Sequence, residues 1–130
     1  MTLPTDANER KQIPIYSGFI SYFPDAMAAV AQHSYNNNEV HNPGEPLHWS
    51  REKSTDQLDA LARHLTELSL ATNLQEEIEY LKAIVWRGAA QLQLKCEERD
   101  KVIPVIETNR AIDWEGVALK GATDDELRRR

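Results

Sequence analysis

Between Gln75 and Asp100 the chain sets Ile78, Leu81, Val85, Ala89, Leu92 and Cys96 three or four residues apart. That spacing lines one side of an α-helix and cannot be used by a strand, whose side chains alternate between faces. Ala83, Ile84 and Leu94 fall off the stripe, so this helix is expected to be buried on more than one side and to be the central element. A second stripe, Leu58, Leu61, Leu65 and Leu68, predicts a helix over about 52–69, beginning near Ser50 or Ser54. A third helix, over about 22–36, is predicted from Phe23, Ala26, Met27, Val30 and Ser34, with Ser21 placed to cap it and Pro24 and Asp25 suited to its first turn. Asn36, Asn37 and Asn38 lower helical propensity and are expected to end or fray it.

Residues 1–20, which include Pro4 and Pro14, show no sustained period and read as an extended arm packing Ile15, Tyr16, Phe19 and Ile20 onto something else. Residues 101–130 hold short apolar clusters broken by Pro104 and end in TDDELRRR, which reads as a partly ordered extension. The fold class is therefore all-α: a helical domain over 21–100 between two irregular arms. Three principal helices are few for a complete bundle, and oligomerisation, as a dimer or tetramer with the long helix at or near the interface, would supply the missing faces.

Charge and cysteine usage exclude several functions. A net charge of −6 and a pI near 5.2 argue against binding of polymeric nucleic acid, which needs a basic surface to displace counterions. A single cysteine, Cys96, offers neither a disulfide framework nor a cysteine-based zinc site. No apolar run approaches the roughly 20 residues that span a bilayer, and the N-terminus lacks a signal-peptide core, so a cytoplasmic protein without a membrane partner is expected.

Chemistry concentrates in EVHNPGEPLHWSREKSTDQLDALARHL, residues 39–65. His41, Asn42, His48 and Trp49 are unusual choices for a connection that only reverses the chain, and Pro43, Gly44 and Pro46 restrict their geometry. Asp56 and Asp59 lie about 60° apart on a helical wheel, opposite the leucine stripe and near Arg63 and Glu67. Two readings follow: a solvated face with an Asp59–Arg63 pair, or two carboxylates one turn apart holding Mg²⁺, completed by a carboxylate such as Glu79 from the start of the last helix. Trp86 with Arg87 offers a stacking and phosphate pair, although a tryptophan in an apolar helix is ordinarily core. Glycine-rich phosphate loops, GxSxG and HExxH are absent from the sequence.

The ordered succession YFPDAMAAVA, EVHNPGEPLHW, STDQLDALARHL and VWRGAAQLQLKCE, from Tyr22 to Glu97, resembles the phage and prophage family described as dATP/dGTP diphosphohydrolase, N-terminal type, related to MazG-like all-α nucleotide pyrophosphohydrolases. The resemblance implies a MazG-like helical oligomer in which Glu39, Asp56 and Asp59 are catalytic carboxylates that, with Glu79, bind Mg²⁺. His41, Asn42, Trp49, Lys53, Arg63, His64, Trp86 and Arg87 would then hold the nucleotide. The implied reaction splits a (d)NTP, purine-directed, into monophosphate and pyrophosphate. The first helix offers only Glu39 where the MazG pattern has EExxE, and Tyr80 and Lys82 stand where many relatives carry histidine. The alternative is a protein that binds a nucleotide or nucleotide signal without cleaving it.

Overall fold

A computed structural model describes residues 3–53 and 55–106, and among them every regular element is helical. The elements are α1 (Ala7–Lys11), α2 (Ile15–Gly18), a 3₁₀ turn (Ile20–Tyr22), α3 (Pro24–His41), a second 3₁₀ turn (Arg51–Lys53), α4 (Gln57–Ser69) and α5 (Leu74–Ile106). No helix among the described residues is long and apolar enough to cross a membrane. Tertiary contacts divide the chain after Glu97. The first unit holds α1 to α4 and most of α5; the described part of the second is the last turns of α5.

The three long helices lie where apolar periodicity placed them, but their ends differ. The N-terminal arm is not extended, because Asp6 accepts the backbone N–H groups of Asn8 and Glu9 at 2.9 and 3.0 Å and so starts α1. Ser21 does not cap α3: its hydroxyl donates to Ser17 O at 3.3 Å, and Phe23 takes the cap position without a side-chain bond. Helix α3 also runs through the three asparagines to His41. Two of the amides are engaged: Asn37 Nδ2 donates to His33 Nε2 at 2.9 Å and Asn38 Nδ2 to Glu45 O at 3.0 Å, so these two do not compete for the helix's own carbonyls. Helix α4 starts at Gln57, later than Ser50 or Ser54, and the 3₁₀ turn Arg51–Lys53 precedes it.

The turn from α4 to α5 is tied by a reciprocal cap. Asn73 Oδ1 accepts Glu76 N–H at 3.0 Å, while Glu76 Oε2 accepts Thr72 N–H at 2.9 Å. The backbone helix of α5 continues through Pro104 to Ile106. Proline there removes one i→i−4 backbone bond, to Asp100 O, without ending the helix. The extension from residue 107 onward lies outside the described residues.

Burial within the single chain is small in scale. Among the described residues the buried apolar ones are Ala60, Ala83 and Ala90, joined by the polar Asn38 and Gln57. Both apolar stripes expected to be core are largely open: Leu58 and Leu65 on α4, and Ile78, Leu81, Val85 and Leu92 on α5, are all exposed. Helix α5 uses its alanine face for the chain's own packing and leaves the branched stripe uncovered.

Candidate functional site

Helix α3 brings two rows of polar side chains to one side. His33, Asn37 and His41 succeed each other at four-residue intervals, as do Ser34, Asn38 and Asn42, and this spacing stacks each set along the helix. Both rows line a cleft of about 650 Å³. The cleft is closed by His48, Trp49, Ser50 and Lys53 from the connection, His64 from α4, and Trp86 and Arg87 from α5.

The connection is held in shape by local bonds. Glu45 N–H donates to Asn42 O at 3.1 Å across Pro43 and Gly44, and Gly44 has φ +78°. Proline second and a positive-φ glycine third make a type II turn. Asn38, only 6% exposed, pins that turn to α3 through Glu45 O. His48 Nδ1 donates to Pro46 O at 2.9 Å, because a carbonyl can only accept; in the neutral ring Nε2 then accepts the Ser50 hydroxyl at 3.0 Å. Arg51 clamps the far end. Its guanidinium lies 4.3 Å from the centre of the Trp49 ring and donates to Glu97 Oε2 at 2.6 Å.

This clamp sets the floor of the cleft, where the Trp49 and Trp86 rings meet edge to face. Arg87 lies 5.5 Å from the Trp86 ring and donates to Gln57 Oε1 at 3.0 Å. Gln57, 3% exposed, thereby joins the start of α4 to the middle of α5. Two buried polar atoms of the lining have no protein partner: the acceptor Asn38 Oδ1 and the donor Trp49 Nε1. Such atoms are uncommon and costly in folded proteins.

All four histidines of the chain line the cleft. Burial pushes the His33 imidazole below its ordinary value, Glu79 opposes this, and Lys82, His64 and Arg87 add to the lowering. His33 is therefore neutral near pH 7 and accepts the Asn37 amide. His64 Nδ1 donates to Glu67 Oε2 at 2.9 Å, which orients its ring. Among the described residues the cations of the lining are Lys53 and Arg87, and none of its side chains is a carboxylate.

Of the eight residues expected to hold a nucleotide, the structure gathers His41, Asn42, Trp49, Lys53, His64, Trp86 and Arg87 in this cleft. Arg63 lies elsewhere: its Nη2 donates to Asp56 Oδ2 at 3.0 Å, replacing the expected pairing with Asp59. Sequence reasoning missed His33, Ser34, Asn37, Asn38 and Ser50. The four-residue spacing on α3 was the available signal, and it was masked by treating the asparagines as helix breakers.

The expected carboxylates are not brought together. Glu39 is exposed on α3, about 120° or more around the helix from the His33 row. Asp59 lines a separate shallow depression with Arg63 and Glu67. Asp56 is held ionised by the Arg63 hydrogen bond, and Glu79 by Lys82, whose Nζ lies 2.8 Å away. Among the described residues no three His, Cys, Asp or Glu side chains are arranged to hold a metal ion. The reason is helical phase: the burial of Gln57 and Ala60 turns α4 so that Asp59, about 200° round from Gln57, faces away from the cleft. Within one chain these donors, among the described residues, do not fit Mg²⁺. Comparison with protein-family models, with curated proteins and with solved structures gives no match.

Proposed function

We propose that this chain binds a nucleotide, or a chemically similar phosphate-bearing aromatic molecule, in the α3–α4–α5 cleft. The observation that carries the reading is the composition of the lining among the described residues: two tryptophans, two cations, four imidazoles and several amides or hydroxyls, with no carboxylate among them to repel an anion. Aromatic faces accept a base irrespective of its identity, and Arg and Lys recognise phosphate by charge and hydrogen bonding. The purine preference and a phage source rest on the motif resemblance.

Mg²⁺-dependent pyrophosphohydrolysis is the second reading. It draws on the electrostatic reach of two expected metal carboxylates into the cleft lining: Glu79 acts on His33, and Arg87 acts on Asp56. Such a metal centre needs further carboxylates from another copy of the chain. One experiment separates the two readings. Purified protein is titrated with a panel of dNTPs and NTPs by calorimetry, then incubated with the same panel and Mg²⁺ and resolved by chromatography. Binding without turnover supports the first reading, and monophosphate plus pyrophosphate supports the second. Neither binding nor turnover overturns both.

A further inference from the structure

The loop that closes the cleft holds a hydroxyl, a base and a group that orients the base. His48 Nδ1–H donates to Pro46 O at 2.9 Å, which fixes the ring's tautomer and leaves the lone pair on Nε2. The Ser50 hydroxyl donates to that lone pair at 3.0 Å. A hydroxyl on a base, with the base held by a third group, is the arrangement that activates a serine for attack. Here a backbone carbonyl takes the orienting place that a carboxylate often fills. Most side-chain hydrogen bonds go to backbone or water, so a serine hydroxyl committed to an imidazole is the less common choice for a loop.

The surroundings favour chemistry over a mere stitch of the loop. Ser50 and His48 line the same cleft as Lys53 and Arg87. Cations there would draw in an anionic ligand and offset the charge that grows on phosphoryl oxygens during attack. Ser50 is also held in place: Lys53 N–H donates to Ser50 O at 3.2 Å, and the next residue, Arg51, is tied to Glu97. A nucleophile fixed in this way loses little further freedom on reacting.

We infer that Ser50 is a nucleophile, with His48 as its general base, toward the phosphorus of a phosphoric ester or anhydride held in the cleft. The choice of a phosphorus electrophile rests on the binding reading above, whereas the dyad itself does not. In the first step the Ser50 Oγ–P bond forms, the bond from phosphorus to the leaving oxygen breaks, and the hydroxyl proton passes to His48 Nε2. The imidazolium, its Nδ1–H still on Pro46 O, gives that proton to the departing oxygen. Water then attacks the phosphoserine, His48 takes a proton from it, and Ser50 Oγ leaves and is reprotonated. The sum is hydrolysis of one phosphoester or anhydride bond.

The test uses the full chain and two probes. Diethyl p-nitrophenyl phosphate, a neutral ester whose serine adduct resists hydrolysis, should release p-nitrophenol and leave a diethylphosphoryl group on Ser50, located by peptide mass spectrometry. The folded chain should react about a hundredfold faster than the urea-unfolded chain, the scale of a positioned general base. The second probe, the anion p-nitrophenyl phosphate, should phosphorylate the same hydroxyl. His48→Ala should lose most of the rate and regain part of it with added imidazole, which can enter because His48 is exposed; a residue that only shaped the loop would not be rescued this way. The adduct site is read in wild type, so the result does not depend on how the variant folds. An adduct elsewhere, a folded chain no faster than the unfolded one, or a His48→Ala rate equal to wild type overturns the inference, and so does p-nitrophenyl phosphate that leaves Ser50 unmodified. Nucleotide binding by calorimetry without reaction at Ser50 also overturns it and leaves the binding reading standing. Reaction of both probes at Ser50 in a protein that binds no nucleotide supports it and removes the nucleotide from the binding reading.

Discussion

The indole ring of Trp49, on the connection after α3, meets that of Trp86, on α5, at a centroid distance of 5.8 Å and an interplanar angle of 80°. Neither ring reaches this position by local structure alone. Trp49 is carried there by a loop that Arg51 ties to Glu97, and Trp86 is fixed by its place in the helix beside Arg87. The pair joins two segments that the Arg51–Glu97 and Gln57–Arg87 bonds hold at either side. It is therefore both a packing contact and the aromatic floor of the cleft.

If a base rests on this floor, Trp49→Ala should weaken nucleotide binding by about 1–3 kcal/mol, the usual worth of one base–aromatic stack. Arg51→Ala should act in the same direction but less, about 1 kcal/mol, because Arg51 stacks on Trp49 and fixes the loop through a partly exposed ion pair. Calorimetric titration of both variants with the best-binding nucleotide checks the order. Equal affinity for wild type and Trp49→Ala would remove the tryptophan from the site.

Gln57→Leu should lower stability by about 1–3 kcal/mol, since the substitution takes away a buried acceptor from a guanidinium that cannot give up its charge. At about 4 °C per kcal/mol for a domain of this size, the melting midpoint should fall by several degrees. Arg87 would also lose one bond that orients it over Trp86, so nucleotide affinity should fall with stability. A variant as stable as wild type would show that this bond contributes nothing net.

The sequence spacing made α3, α4 and α5 legible because helical phase is a property of neighbouring residues. It did not reveal which face of each helix the chain buries. Ile78, Leu81, Val85 and Leu92 read as core and lie exposed, because the chain's own packing uses the small face of Ala83 and Ala90. The same choice separates Asp56 and Asp59 from the cleft: their 60° proximity was legible, but the rotation of α4 is set by Gln57 and Ala60. His41, Asn42 and Trp49 were legible because a turn does not require such side chains. His33 and Asn38 were not, because their function depends on a loop folding back onto the helix that bears them.

Gly44→Ala probes that loop. The added methyl meets open space, but φ at +78° is costly for any residue with a Cβ, by about 1–2 kcal/mol. The turn should shift or loosen, and with it the bond from Asn38 to Glu45. The expected result is a modest fall in melting midpoint together with weaker nucleotide binding. Wild-type affinity in the variant would mean that the turn does not position the site.

The pH dependence of stability should carry the mark of His33. Its folded pKa is lowered from 6.5, chiefly by burial, so the unfolded chain takes up a proton at higher pH than the folded chain does. Between these two values unfolding binds protons, and stability therefore rises with pH. The stabilising contribution is present above about 6.5 and is lost as pH falls through the folded value. Lys82, His64 and Arg87 strengthen the effect and Glu79 opposes it, which sets the groups around the ring on both sides of the balance. Asp56, Glu76 and Glu79 are also lowered, from 3.8, 4.5 and 4.5, so their contributions are lost only at more acidic pH. His33→Gln should flatten the pH dependence of the melting midpoint just below pH 6.5; parallel curves for variant and wild type there would show that the buried imidazole is not what destabilises the fold.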